Sequence, residues 1–209
     1  MKKKLVLASG SPRRKEILSQ AGFSFRVLPV DADESLENRD PEEMVQILAG
    51  RKAAACMDLL KKTEGNPENL LVLGADTVVV YDHTILGKPS DREAAADTLR
   101  SLQGKCHSVY TGFSLIWMDE QNQIQSAVSA EKTNVFFYPM SEEEIHFYVN
   151  TGECDDKAGS YAIQGIGMRY IEKIEGDYHN VVGLPLGRLY QTLKSNHLEI
   201  EEAAYDENR

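Results

Sequence analysis

Residues 70–81, LLVLGADTVVVY, form the most apolar run in the chain. Leucine and valine follow one another there without alternation, which reads as a central strand buried on both faces. A glycine-acidic insertion, Gly74-Ala75-Asp76-Thr77, interrupts the run. Burying a lone carboxylate is costly, so Asp76 needs an explanation. One is structural: a carboxylate at the strand end, bonded to nearby backbone N–H groups. The other is chemical: a metal ligand or general base at the cleft end of a central strand.

The segments on either side predict what surrounds that strand. Leu5–Ala8 is a short apolar run entering the tight loop Ser9-Gly10-Ser11-Pro12. Pro12 suits the first position of a helix, and Gly22 suits its end. Phe23–Val30 reads as a second strand, and Asp40-Pro41-Glu42-Glu43 opens a long helix reaching about Leu60, followed by a polar turn over 61–69. After the hairpin-like Asp82-His83 come a helix from about Asp91 to Leu102 and two β-rich stretches near 106–118 and 124–138. Ser141-Glu142-Glu143-Glu144 is a capping-box start. A glycine-containing loop over 152–167, a strand over 168–174 and a final helix over 182–194 complete the pattern. Strands and helices alternate early and strands cluster late, so the expected fold is mixed α/β with a cleft. Residues 1–197 read as one domain and 198–209 as an acidic, frayed tail.

Charge narrows the partners. Lys and Arg number 23 against 33 Asp and Glu, a formal charge of −10. A nucleic-acid binder needs the opposite sign over a broad surface, so nucleic acid is not an expected partner. A polyanionic ligand must instead meet a local basic cluster, with a divalent cation. Cys56, Cys106 and Cys154 have no metal-ligand spacing, and their odd number fits a reducing compartment. The basic N-terminal triplet precedes too few apolar residues for a signal-peptide core, and no run approaches a membrane span. A cytoplasmic protein without a membrane partner is expected. None of the five histidines has zinc-ligand spacing.

Two further segments carry chemistry. Ser9-Gly10-Ser11-Pro12-Arg13-Arg14-Lys15 places two hydroxyls, backbone N–H groups and three cations at a helix N-terminus. Such an arrangement suits a phosphate group. The same residues could form a capped helix with a solvated first turn, although cations there oppose the helix dipole. In Glu153-Cys154-Asp155-Asp156-Lys157-Ala158-Gly159-Ser160-Tyr161-Ala162-Ile163-Gln164-Gly165, the small residues at 158–160 permit close approach of a ligand. A charged surface loop is the alternative.

Together, LASGSPRRKEIL, GADTVV, LGKP, ECDDKAGSYAIQG and GDYHNVVGLPL closely resemble, in order over residues 5–192, the Maf family of nucleoside triphosphate pyrophosphatases. The resemblance implies a mixed twisted sheet flanked by helices, in an elongated two-lobed molecule with a central cleft, similar to inosine triphosphatase-like enzymes. It implies hydrolysis of a nucleoside triphosphate to monophosphate and diphosphate with a divalent metal, Mg²⁺ or Mn²⁺. It also implies nucleotide-pool cleaning and a link to restraint of cell division, and a homodimer is common among similar proteins. The family's proton-accepting aspartate falls on Asp76, and its phosphate-binding residues on Ser9, Ser11, Arg13, Arg14, Lys52 and Lys88. Glu34, with Asp33 a substitute, joins Asp76 as a metal ligand, and Asp156 and Lys157 match the supporting pair. Cys154 stands where the family pattern has proline.

The combination of Arg13, Thr77 and Gln164 resembles the subgroup acting on dTTP and UTP. A primary amide at Gln164 can donate to O4 of uracil or thymine while accepting from N3–H, but a flipped amide could pair with cytosine. Water attack at the α-phosphorus is the expected mechanism, with the cations neutralising phosphate oxygens and Asp76 acting as base, metal ligand or both. A regulatory protein that senses nucleotides without hydrolysing them is the alternative; the carboxylate beside the basic loop argues against it.

Overall fold

A computed structural model describes residues 2–33, 35, 39–65 and 67–203. The chain runs β1 (Lys4–Leu7), α1 (Pro12–Gln20), β2 (Phe25–Val27), α2 (Pro41–Glu64), β3 (Leu70–Tyr81), β4 (Thr84–Leu86), α3 (Arg92–Leu102) and β5 (Cys106–Met118). It continues with β6 (Ile124–Phe137), α4 (Glu142–Asn150), β7 (Ile171–Glu175), α5 (Tyr178–Val182) and α6 (Leu186–Ser195). One seven-stranded mixed sheet has the order β2-β1-β3-β5-β6-β7, with β4 also on β3. β1 lies parallel to β2 and β3, and the other pairings are antiparallel. The α/β expectation holds.

A gap in the pairing of β3 creates the cleft. β1 follows β3 only to Leu7 opposite Leu73, and β4 joins the same edge at Val79. Between them, residues 74–78 have a neighbouring strand on one side only, β5. A ligand can therefore reach the middle of a central strand beyond the carboxyl end of β1, where open α/β sheets commonly bind theirs.

Gly74-Ala75-Asp76-Thr77 does not interrupt β3, contrary to the sequence expectation. The strand is continuous over twelve residues, and the glycine serves packing. A Cβ at Gly74 would lie 2.3 Å from the carbonyl oxygen of Ala49 and 2.7 Å from the Ala53 nitrogen; one at Gly112, opposite Asp76, would lie 2.5 Å from the Val45 carbonyl. The backbone of α2 thus rests directly on β3 and β5. Val6, Ala53, Cys56, Met57, Leu60 and Val72 bury the same face. On the opposite face, Leu7, Leu18, Leu73, Phe113, Leu184 and Leu189 form a second core beneath α1 and α6, and Val79, Leu99, Val109 and Tyr148 a third beneath α3 and α4.

Other boundaries differ for identifiable reasons. α2 continues past Leu60 to Glu64, where Lys61 and Lys62 complement the helix C-terminus and Gly65, at φ +77°, ends it. Residues 168–170 are a 3₁₀ turn, so β7 begins at Ile171. The final helix expected over 182–194 begins only at Leu186, and Val182 instead ends a separate short helix, α5, because Gly183 adopts φ +128° and Pro185 cannot continue an α-helical ladder. Residues 198–203 are not frayed: Ile200 is buried, bridges Lys3, and Glu202 bridges Phe23. The expected capping box at Ser141 and Glu144 is formed.

Gly74→Ala should destabilise the fold by about 1–3 kcal/mol or more through overpacking. Gly50→Ala, in α2 and with nothing within 4 Å of its added methyl, should be neutral or stabilising by up to about 1 kcal/mol. Urea unfolding of both variants checks the pair.

Candidate active site

The gap along β3 opens into a cleft of about 730 Å³, walled by the loop after β1, by α2, by residues 85–88 and by the loops 156–164 and 181–183. Successive residues of a strand point to opposite faces. Asp76 therefore faces α2 and Thr77 faces the side covered by α5. The close seating of α2 brings Lys52 Nζ to 2.6 Å from Asp76 Oδ1. Each side chain is only 15% exposed, so the pair is screened weakly yet still reaches the cleft. Of the two explanations for Asp76, bonding to backbone N–H groups is replaced by this lysine.

On the Thr77 side the organising group is Arg14. Its Nε donates to the Gly183 carbonyl at 2.8 Å, Nη1 to Ser9 Oγ at 3.0 Å and Nη2 to Thr77 Oγ1 at 3.1 Å. The Gly183–Pro185 break between α5 and α6 is what leaves that carbonyl available. Ser9 Oγ also accepts the Ser11 N–H at 3.3 Å. With both lone pairs occupied, the Ser9 hydroxyl can only donate, which suits a phosphate oxygen. Ser11 makes no side-chain cap bond and the first turn of α1 has no acidic residue. Arg13 and Lys88 line the cleft without a hydrogen bond or ion pair to a described residue. Lys15, grouped with the two arginines in the sequence, is not part of the cleft wall.

The loop after α4 supplies the third wall. Lys157 Nζ bonds Asp156 Oδ1 at 2.6 Å, and both residues line the cleft. That bond, with the charges of Lys157 and Arg13, holds the Asp156 carboxyl below its ordinary range against a smaller opposing effect of burial. Gly159 N–H donates to the Gly87 carbonyl, tying this loop to the LGKP segment. Gln164 also lines the cleft, and its side chain has no hydrogen bond among the described residues. Glu34 lies outside the described residues. Asp33, its possible substitute, instead bonds Arg51 and Ser35 and does not line the cleft.

Several supporting residues carry no signal of their role in the sequence. Thr111 Oγ1 lies 2.9 Å from Thr77 Oγ1 and donates to the Asn180 carbonyl at 2.8 Å. The Asn180 amide donates to the Val109 carbonyl and to Thr133 Oγ1, clipping α5 to β5 and β6. Glu153 accepts from the Tyr148 hydroxyl and from the N–H groups of Ile166 and Gly167, while the same hydroxyl accepts the Ala162 N–H. Backbone on both sides of Gln164 is thereby held to one carboxylate. Burial works to raise the Glu153 pKa, but these three donors outweigh it and hold the group below its ordinary value.

Residues 4–196 match the family model described as "Maf-like protein". A relative from Pelotomaculum thermopropionicum, named dTTP/UTP pyrophosphatase, is 50% identical over 92% of this chain and 96% of its own length. The chain belongs to the Maf-like family. A second family relative, from Caldanaerobacter subterraneus subsp. tengcongensis and of the same name, is 46% identical over 91% of this chain and 88% of its own. The solved Staphylococcus aureus Ham1 protein superposes with a TM-score of 0.47 at 14% identity, covering 93% of this chain and 100% of that one.

Glu153→Gln presents an N–H₂ group to backbone donors and should cost about 1–3 kcal/mol at neutral pH. Because the folded pKa lies below the ordinary 4.5, the native carboxylate's advantage is full above that value and is lost as pH falls through the folded pKa. Unfolding of both proteins across pH 7 to 3 should therefore show the difference shrinking only in acid.

Proposed function

We propose that this chain hydrolyses dTTP and UTP to the monophosphate and diphosphate. The observation that carries the reading is the Lys52–Asp76 pair facing a cleft rich in cations within a protein of net charge −10. A triphosphate is the ligand class that matches such concentrated positive charge, and a carboxylate beside it serves chemistry rather than binding. The names of the relatives support the choice of nucleotides.

In this mechanism Arg13, Lys52, Lys88 and the Ser9 hydroxyl neutralise and orient phosphate oxygens. Lys52 holds one oxygen of Asp76, leaving the other to take a proton from water. The water oxygen bonds to the α-phosphorus, the bond from that phosphorus to the α,β-bridging oxygen breaks, and diphosphate leaves with the electron pair. Lys157 and Asp156 support the polyphosphate end, and Gln164 meets a carbonyl of the base.

A divalent cation fits this site in a limited way. No group of three His, Cys, Asp or Glu side chains converges among the described residues, so those residues by themselves form no all-protein metal cage. Mg²⁺ commonly uses one or two carboxylates and completes its shell with substrate phosphates and water. Asp76 would hold such an ion with the triphosphate, and the ion would supply charge neutralisation.

Asp76→Asn keeps the shape and removes the charge, and should lower kcat on the order of 10²-fold or more without unfolding the protein. Diphosphate release from dTTP, UTP, ATP and GTP is the assay; near-normal turnover in the variant would exclude Asp76 as the base. In excess chelator, wild-type turnover should vanish and return with Mg²⁺ or Mn²⁺. Full activity under chelation would rule out metal assistance.

A further inference from the structure

We infer that Thr111, buried behind the cleft, sets base selectivity by fixing the hydroxyl of Thr77 as an acceptor, so that Thr77 takes the N3–H of uracil or thymine and rejects cytosine. This inference rests on the pyrophosphatase reading above. A threonine hydroxyl has one proton and two lone pairs. Thr111 Oγ1 donates its proton to the Asn180 carbonyl at 2.8 Å, since a carbonyl can only accept. The 2.9 Å contact between Thr111 and Thr77 must then be a donation from Thr77. Arg14 Nη2, which can only donate, occupies one lone pair of Thr77 Oγ1. The second lone pair remains, and the proton points away from it. Thr77 lines the cleft and is partly exposed, whereas Thr111 and Asn180 are fully buried. Water therefore offers Thr111 no alternative acceptor.

The Thr77 side of the cleft suits a base. Val79 and Val109 share its sheet face, Ile163 and Val182 line the same cleft, and the Asp76–Lys52 charges lie on the opposite face. The imide edge of uracil and thymine presents acceptor, donor, acceptor, whereas cytosine presents an acceptor at N3. Gln164 cannot separate them by itself, because its amide has no hydrogen bond among the described residues and can turn either way. A hydroxyl of fixed polarity removes that degeneracy. Thr77 accepts from N3–H, and Gln164 donates to the neighbouring carbonyl oxygen. Thr111 acts as a positioning residue, because it touches Thr77 and not the nucleotide.

The test compares kcat/KM for UTP and CTP in wild type, Thr111→Val and Thr111→Ser. Valine releases the Thr77 proton, which can then serve cytosine N3. The UTP-to-CTP ratio should fall about tenfold, a difference of about 1.4 kcal/mol, and serine should keep it. An unchanged ratio in folded Thr111→Val, or an equal loss on both nucleotides, overturns the inference while leaving the pyrophosphatase reading intact. Wild type supplies an arm independent of folding: N3-methyl-UTP, which lacks the N3 hydrogen, should lose at least about tenfold in kcat/KM. Turnover equal to UTP overturns the inference. Absence of diphosphate release from UTP and dTTP in wild type would overturn the pyrophosphatase reading and this inference with it.

Discussion

The seating of α2 on the sheet is the constraint on which the rest of the molecule depends. Glycine at 74 and 112 removes two side chains where the helix backbone crosses β3 and β5. The crossing is close enough for Lys52 to reach Asp76 across the helix–sheet interface. A methyl group at either glycine would push the helix outward and lengthen that contact. The cost of holding a carboxylate within a central strand is thus met by a cation delivered from another element, and the same geometry faces the pair toward the cleft.

Arg14 organises the opposite side of β3. Its guanidinium joins the loop after β1, the middle of β3 and the end of α5 through Ser9, Thr77 and Gly183. The planar fork makes these three elements mutually dependent, which a lysine could not reproduce. Arg13, one residue earlier, lines the cleft without such bonds. Two adjacent arginines that look equivalent in the sequence therefore divide their work: one builds the wall and the other faces the open cleft.

The third wall is held by buried polar groups rather than by regular structure. Glu153 and Tyr148 fix the turn that presents Gln164. Tyr161 is propped from behind by His107, whose Nε2 lies 2.8 Å from the tyrosine hydroxyl. Burial pushes the His107 pKa down to about 4, so the ring stays neutral at physiological pH and serves packing between Phe137 and Tyr161. A loop built this way places its side chains without the repetitive ladder of a helix or strand.

The elements that determine their own conformation were legible directly: the apolar run of β3, Pro12 opening α1, the cap and proline before α2, and the box at Ser141. Ordered motifs carried the family and most cleft residues, because the loop after β1 keeps its cleft-lining groups within a few consecutive positions. The placements that failed were those decided from outside the segment. Gly74-Ala75-Asp76-Thr77 looked like an interruption because the helix that needs the glycine lies some twenty residues away. The 198–203 segment looked frayed because its partners, Lys3 and Phe23, are at the other end of the chain. Thr111 and Asn180 gave no signal at all, since only strand register sets Thr111 opposite Thr77 and only the docking of α5 brings a carbonyl to it. The sequence by itself determined which chemical groups the cleft contains. Tertiary structure alone decided which of them pair, which way each proton points and which remain for a ligand, because hydrogen-bond direction depends on every neighbour in three dimensions.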